Sequence, residues 1–377
     1  MNLALRDVRH NLGRFLLTCL GLSLLLGVVL SMIGIYRGLV DEALTLARAP
    51  GADLWVVESG TRGPFAESSR IPGDERDSVA RLAGVAEAGS LTFQSVETAH
   101  RGRTLRLYVV GHELNRPGAP ARIVAGRPIT RAHYEMVADR RSGLDLGERL
   151  RLGRNDFTVV GLTDGLVASG GDPVVFLTLA DSQRLQFDLD PPAARRERAR
   201  GSGPAGTDIV NAVVARVLPG VPVQEVADTA ARWKHLSALT QGQQEALLLQ
   251  SVVEKARRQI GLFTTILLAV SAVVIALILY TLTMDKVKEI ATLKLIGAPD
   301  RTIVGLIVHQ ALAMGVIGWS VGTVLILLVK DHFPRRVVLT PEDALMLGAA
   351  VLIICVAASG LGVRLALKVD PATALGG

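Results

Sequence analysis

Cysteine is almost absent from this 377-residue chain, and the two present, Cys19 and Cys355, both lie inside long apolar runs. They exclude a disulfide framework and lack metal-ligand spacing, so they are expected to be small buried apolar residues. No Gly-Lys dipeptide occurs, which removes the Gly-x4-Gly-Lys-Ser/Thr loop that cradles nucleotide phosphates. The seven histidines are scattered, without a His-Glu-x-x-His pattern, and no metal or cofactor site is expected. Nor is a Gly-x-Ser-x-Gly nucleophile elbow, or any other catalytic constellation, expected, so the chain does not read as an enzyme. Charge of one sign is not concentrated either. Residues 37–259 carry 29 Lys/Arg against 27 Asp/Glu, which argues against a nucleic-acid footprint. The remaining 12 basic and 8 acidic residues flank the apolar runs, where basic groups meet anionic head groups.

What the chain does have is four apolar runs: 15–36, 261–284, 303–329 and 344–363. Crossing a hydrocarbon core of ~30 Å at 1.5 Å per residue takes about 20 apolar residues, so each is long enough to span a bilayer. None contains Asp, Glu, Lys or Arg, which removes the intramembrane charges a proton or ion relay needs. His309 is the one titratable residue of the third run apart from termini, and it is expected to hydrogen-bond a neighbouring helix. The first run exceeds the ~7–15 apolar residues of a signal peptide and reads as a permanent span. Four spans place both termini on one side. Cytoplasmic termini would put Arg6, Arg9, Arg14, Lys286, Lys288, Lys294, Arg301, Arg364 and Lys368 inside, against seven basic residues flanking the spans outside. Gly318 and Gly322 form a Gly-x-x-x-Gly suited to close helix packing.

The segments between the runs are also patterned. Residues 1–14 alternate Leu3, Leu5, Val8 and Leu12 with Arg6, Arg9 and His10, and with Arg14 they predict an amphipathic helix in the membrane interface. Residues 285–302 predict a second short helix. Ile290, Leu293 and Ile296 share one side, while Lys286, Lys288, Glu289 and Lys294 are polar. Gly297 stops it, Pro299 prevents its continuation, and Asp300 is expected to cap the third span. Such a helix is suited to receiving a protein partner.

Residues 37–260 form one large domain between the first and second spans. A turn followed by a strand is predicted over 50–57, and strands at 105–110, 123–128, 174–178 and 209–217. A hairpin is predicted from 147–153 to 157–161 with Arg154-Asn155-Asp156 as its turn. Helix is predicted over 180–187 and through most of 223–249, continuing toward the second span as a stalk. Alternating strands and helices give a mixed α/β domain. Residues 191–207, rich in Arg, Pro, Gly and Ala, read as a flexible loop.

Lys288-Glu-Ile-Ala-Thr-Leu-Lys-Leu-Ile-Gly-Ala298 resembles a segment of the MacB/FtsX-type ABC permeases. The Leu5-Arg-Asp-Val-Arg-His-Asn and Asp370-Pro-Ala-Thr-Ala-Leu375 segments are similar to the ends of the same family. Gly-Arg-Pro (126–128), the Leu-x-Leu-Gly ending at 153 and Phe157-Thr-Val-Val-Gly161 resemble its periplasmic core domain. The resemblance implies a polytopic α-helical membrane protein with four transmembrane helices and a two-lobed extracytoplasmic α/β domain, the inserted lobe near 126–190. A short extracytoplasmic loop at 330–343 and a cytoplasmic tail at 364–377 complete that layout. The lack of a fused ATPase is closest to the DevC-like members. It further implies an inner-membrane homodimer with two cytoplasmic ATPase subunits holding ATP and Mg. These would act on Lys286, Lys288, Glu289, Ile290, Leu293, Lys294 and Gly297, and a periplasmic adaptor is a further candidate partner. The outer domain would then receive transmitted motion. The competing expectation is an FtsX-like signalling subunit that activates a cell-wall hydrolase. A secondary transporter is disfavoured by the absence of internal repeats and broken spans.

Overall fold

Among the described residues of the computed structural model, four helices are long and apolar enough to cross a membrane: Leu17–Arg48, Ala256–Asp285, Asp300–His332 and Pro341–Arg364. The structure describes residues 12–189 and 208–368, apart from 64, 66, 68, 297 and 334, together with Arg196. Arg6, Arg9, Gly297 and the tail beyond residue 368 therefore lie outside the described residues, as does the 191–207 loop except for Arg196. Two units are present, Met1–Gly38 with Ala256–Gly377, and Leu39–Lys255.

In chain order the elements are α1 (Leu12–Arg48), β1 (Leu54–Glu58), β2 (Ile71–Pro72), α2 (Glu75–Ala80), β3 (Val85–His100), β4 (Arg103–His112) and β5 (Ala125–Gly126). Next come β6 (Glu135–Asp139), β7 (Arg149–Leu152), β8 (Asn155–Thr163), β9 (Val174–Thr178), α3 (Leu179–Leu189), β10 (Ile209–Val210), β11 (Ala212–Val217) and α4 (Val223–Ala230). The last are β12 (Leu236–Thr240), α5 (Gln241–Leu248), α6 (Glu254–Asp285), α7 (Val287–Leu295), α8 (Asp300–Val329) and α9 (Pro341–Lys368).

The helical unit is organised by stripes rather than by uniform hydrophobicity. Cys19, Leu22, Leu26, Val29 and Leu30 recur at helical spacing on α1 and meet Ile275 and Leu279 of α6, Ala311 and Met314 of α8, and Leu347, Val351 and Cys355 of α9. Other α6 residues, including Leu262, Ile266, Val273 and Leu277, are exposed, as suits a helix bathed in hydrocarbon. Gly322 and Gly318 bring α8 close to α1. A Cβ at Gly322 would lie 2.6 Å from the carbonyl oxygen of Ser23, and one at Gly318 would lie 2.9 Å from Leu22. The Gly-x-x-x-Gly thus lies against a helix of the same chain. His309 donates to or accepts from nothing on a neighbouring helix in the described set. Its Nδ1 lies 2.6 Å from the Gly305 carbonyl of its own helix, one turn back, which corrects the expected cross-helix bond.

The connector from α8 to α9 is strapped onto α1. Val338 N–H donates to Gly34 O at 3.0 Å, and a Cβ on Gly38 would overlap the Arg336 carbonyl oxygen. Arg37 then reaches Asp343, donating from Nη2 to Oδ1 at 2.7 Å while Nε faces Oδ2. Thr340 Oγ1 donates to the same carboxylate at 2.7 Å, and Pro341 opens α9 at the position where a missing N–H costs nothing.

The α/β unit carries a ten-stranded sheet in the order β12-β1-β11-β3-β4-β9-β6-β8-β5, with β7 paired to β8. Only β4–β9 and β6–β8 are parallel. Residues 125–178 supply the strands beyond β4, and β11 returns the chain beside β1 and β3. Alternation along β1 buries both faces, with Leu54 and Val56 among Val79, Val213 and Val226, and Trp55 and Val57 among Phe176 and Val214. Strand β3 escaped sequence detection because Ala86, Ala88, Gly89 and Ser90 dilute its β-branched residues. Its hairpin with β4 closes through Arg101 and Gly102 at φ 47° and 76°, a two-residue turn that needs left-handed backbone at both positions. The predicted hairpin turn moves by one or two residues: Leu152 pairs with Asn155, so Gly153 and Arg154 form the turn. The long helix expected over 223–249 is broken by β12, which is held in register against β1 from Leu54↔Thr240 to Glu58↔Leu236.

A buried carboxylate braces the loop before β6. Glu135 accepts from Arg127 Nη1 at 3.0 Å and from the N–H groups of Thr130 and Arg131 at 3.0 and 3.1 Å. The Arg127 guanidinium, with those two amides, lowers its pKa to about 2. A folded-state pKa below the ordinary 4.5 contributes stability above pH 4.5 that is lost as pH falls toward 2. Glu135→Gln is therefore expected to lower the melting temperature at pH 7 and to converge with the parent as pH drops through that window, measured by circular dichroism melts.

Candidate functional site: the short helix between the second and third spans

Helix α7 is nine residues long, Val287-Lys-Glu-Ile-Ala-Thr-Leu-Lys-Leu295. A helix this short is marginal in isolation, so packing must hold it. Ile290, 3% exposed, inserts among Ile303 and Ile307 of α8 and Ala366 of α9, with Val363 alongside, and Ala291 is buried beside it. Burying an isoleucine contributes about 1.5–3 kcal/mol. Lys294 adds a second tie, donating from Nζ to the Leu367 carbonyl at 2.9 Å near the C-terminus of α9, where helix carbonyls favour a cation. Lys286 precedes the helix half-buried; desolvation lowers its ammonium pKa, while Glu289 acts in the opposite direction.

The packing divides the residues selected from sequence. Ile290 and Lys294 hold the helix in place, Leu293 is half-buried, and Lys288 and Glu289 are exposed. Ile296 does not share the environment of Ile290: it is 78% exposed, and Leu295 beside it is 62% exposed. The helix ends at Leu295, so Ile296 leaves the stripe that its spacing suggested. Leu295 was missed because heptad-type spacing places it off the apolar side. The signal that finds it is the exposure of two adjacent large aliphatic groups at the end of the helix. Asp300 is the first residue of α8 and makes no capping bond through its side chain, the cap position being Pro299. Its charge instead suits the helix N-terminus.

Among the described residues no three His, Cys, Asp or Glu side chains are grouped to hold a metal ion. Gly318-Trp319-Ser320-Val321-Gly322 does have the letters Gly-x-Ser-x-Gly, contrary to the expectation that none occurs. It sits in the middle of α8, where no strand-to-helix turn exposes the serine, so it is no nucleophile elbow.

Four apolar helices, a large α/β insertion after the first, and an anchored amphipathic helix after the second define a multi-pass membrane subunit of the ABC-permease class. A profile of the MacB-like periplasmic core domain matches residues 15–232, and one of the FtsX-like permease C-terminal region matches 261–371. The chain belongs to this family of ABC transporter permeases. An uncharacterized ABC transporter permease of Mycobacterium tuberculosis is 27% identical over 374 residues, covering 99% of both chains. Another, from Mycobacterium bovis, is 26% identical over 375 residues, again covering 99% of both. Among solved structures, the periplasmic region of MacB from Actinobacillus actinomycetemcomitans superposes at a TM-score of 0.35, with 9% identity, 52% of this chain and 91% of that one.

Proposed function

We propose that this permease is the membrane subunit of an ATP-driven complex in which a separate cytoplasmic ATPase docks on α7. The observation that carries this is the two-sided character of α7, with Ile290 and Lys294 tying it to α8 and α9 while Lys288, Glu289, Leu295 and Ile296 are exposed. A rigidly tied helix passes an applied displacement to the helices it packs on, whereas a loose loop absorbs it. The chain lacks a phosphate-binding loop, so ATP and Mg belong to the partner. Two ATPases would serve two copies of this chain, both termini would face the cytoplasm across the inner membrane, and a periplasmic adaptor would complete an exporter. Charge-free spans fit transmission of force better than an ion path.

The test is reconstitution of the permease with its ATPase in nanodiscs. The coupled complex is expected to hydrolyse ATP at a rate that depends on the permease, and substitutions at Glu289 and Leu293 are expected to uncouple it. ATPase activity indifferent to those substitutions would sink the assignment of α7. Co-purification of a cell-wall hydrolase in place of an adaptor would move the complex from export to signalling.

A further inference from the structure

The α/β domain contains a cavity of about 370 Å³ that the proposed coupling does not use. Its walls come from the end of α1, the loop before β5 and the end of β8. Backbone bonds brace them: Ala121 N–H donates to Ala49 O at 3.1 Å, Val124 N–H to Leu162 O at 2.8 Å, and Leu166 N–H to Asp139 Oδ2 at 2.8 Å. The volume falls within the ~300–1,000 Å³ common for small-molecule sites.

The charges on these walls are unmatched. Arg122 and Asp164 both line the cavity, both are exposed, and neither side chain has a hydrogen-bond or ion-pair partner among the described residues. Arg48, on the same cavity, is already engaged by Glu245 through Nε–Oε1 at 2.8 Å and Nη2–Oε2 at 2.7 Å. Thr163, also on the cavity wall, is buried and spends its hydroxyl on buried Asp139 at 3.1 Å, so it too is already engaged. Opposite charges that line one cavity without an ion pair between them select a ligand that carries both complements. A lone anion or a lone cation would satisfy one wall and leave the other unmatched.

The geometry points to a binding site for a zwitterion whose oxyanion and primary ammonium lie a few atoms apart. The oxyanion pairs with Arg122, and the ammonium with Asp164. A free small molecule and the headgroup of an aminophospholipid share this chemistry. The site is independent of ATPase docking.

The test titrates O-phosphoethanolamine into the full-length chain in phosphatidylcholine nanodiscs by calorimetry. Saturable binding is expected, with inorganic phosphate alone and ethanolamine alone each weaker by roughly tenfold or more. Arg122→Gln and Asp164→Asn are each expected to weaken binding by a similar factor, with melting curves matching the parent because both positions are exposed. In phosphatidylethanolamine nanodiscs, loss of binding by the soluble probe identifies the lipid headgroup as the occupant, and unchanged binding identifies a soluble ligand. Absence of saturable binding, phosphate binding as well as the zwitterion, or variants that bind like the parent would each overturn the site.

Discussion

Arg37→Ala is expected to destabilise the helical unit by about 3–5 kcal/mol, more than Asp343→Ala does, because the two partners are unequally buried. The Asp343 side chain is 2% exposed and that of Arg37 is 37% exposed. Removing the guanidinium leaves a carboxylate with only Thr340 to solvate it. Removing the carboxylate leaves a long cation that reaches water by extending its stem, so its cost is expected nearer 1–2 kcal/mol. The double variant should be less damaged than Arg37→Ala alone, giving a favourable coupling energy in the cycle. Gly38→Ala acts on the same strap from the other side, since its Cβ overlaps the Arg336 carbonyl and must displace the connector. The measurement is reversible unfolding of the full chain in mixed micelles, followed through Trp319, whose Nε1 donates to Ala344 O at 2.8 Å beside this connector. Equal, small losses for the two single variants would show that the pair contributes nothing to the packing.

That pair lies 306 residues apart in sequence and has no local signature, which is why sequence alone could not find it. The spans were legible for the opposite reason. A run of about 20 apolar residues without charge has few places to go except a bilayer, and no tertiary detail is needed to see it. The α/β domain sits between these extremes. Strands with β-branched runs, such as Val174–Thr178, show locally, whereas Val85–His100 is a strand only because β11 and β4 flank it on both edges. The same distinction runs through α7. Its existence is local, in the spacing of Ile290 and Leu293 and the Gly-x-Pro that follows. Which side is free depends on where α8 and α9 pass: Ile290 is buried against them, whereas Ile296, expected on the same side, is exposed.

Leu295→Ser combined with Ile296→Ser is expected to abolish stable capture of the ATPase while leaving the permease folded. Both side chains are mostly exposed, so the substitutions remove little intramolecular packing, and surface changes of this kind usually stay within about 0.5 kcal/mol. At an interface the same two groups become buried anchors. Losing the pair is expected to cost about 2–4 kcal/mol of association, roughly 30- to 1,000-fold in affinity. Ile290→Ala provides the contrast. It empties a site packed by Ile303, Ile307 and Ala366, costs about 2–5 kcal/mol of stability, and loosens α7 from α8 and α9. That variant is expected to retain part of its ATPase binding, because Leu295 and Ile296 are intact, yet to lose permease-dependent stimulation of hydrolysis. On the proposed reading, docking and transmission are expected to separate here: the exposed pair Leu295 and Ile296 would govern capture, and buried Ile290 what capture accomplishes. Pull-down from co-expressing cells measures the first, and nucleotide turnover in nanodiscs measures the second. Should both variants behave alike in both assays, α7 would be a connector, and the docking surface would have to lie elsewhere on the chain.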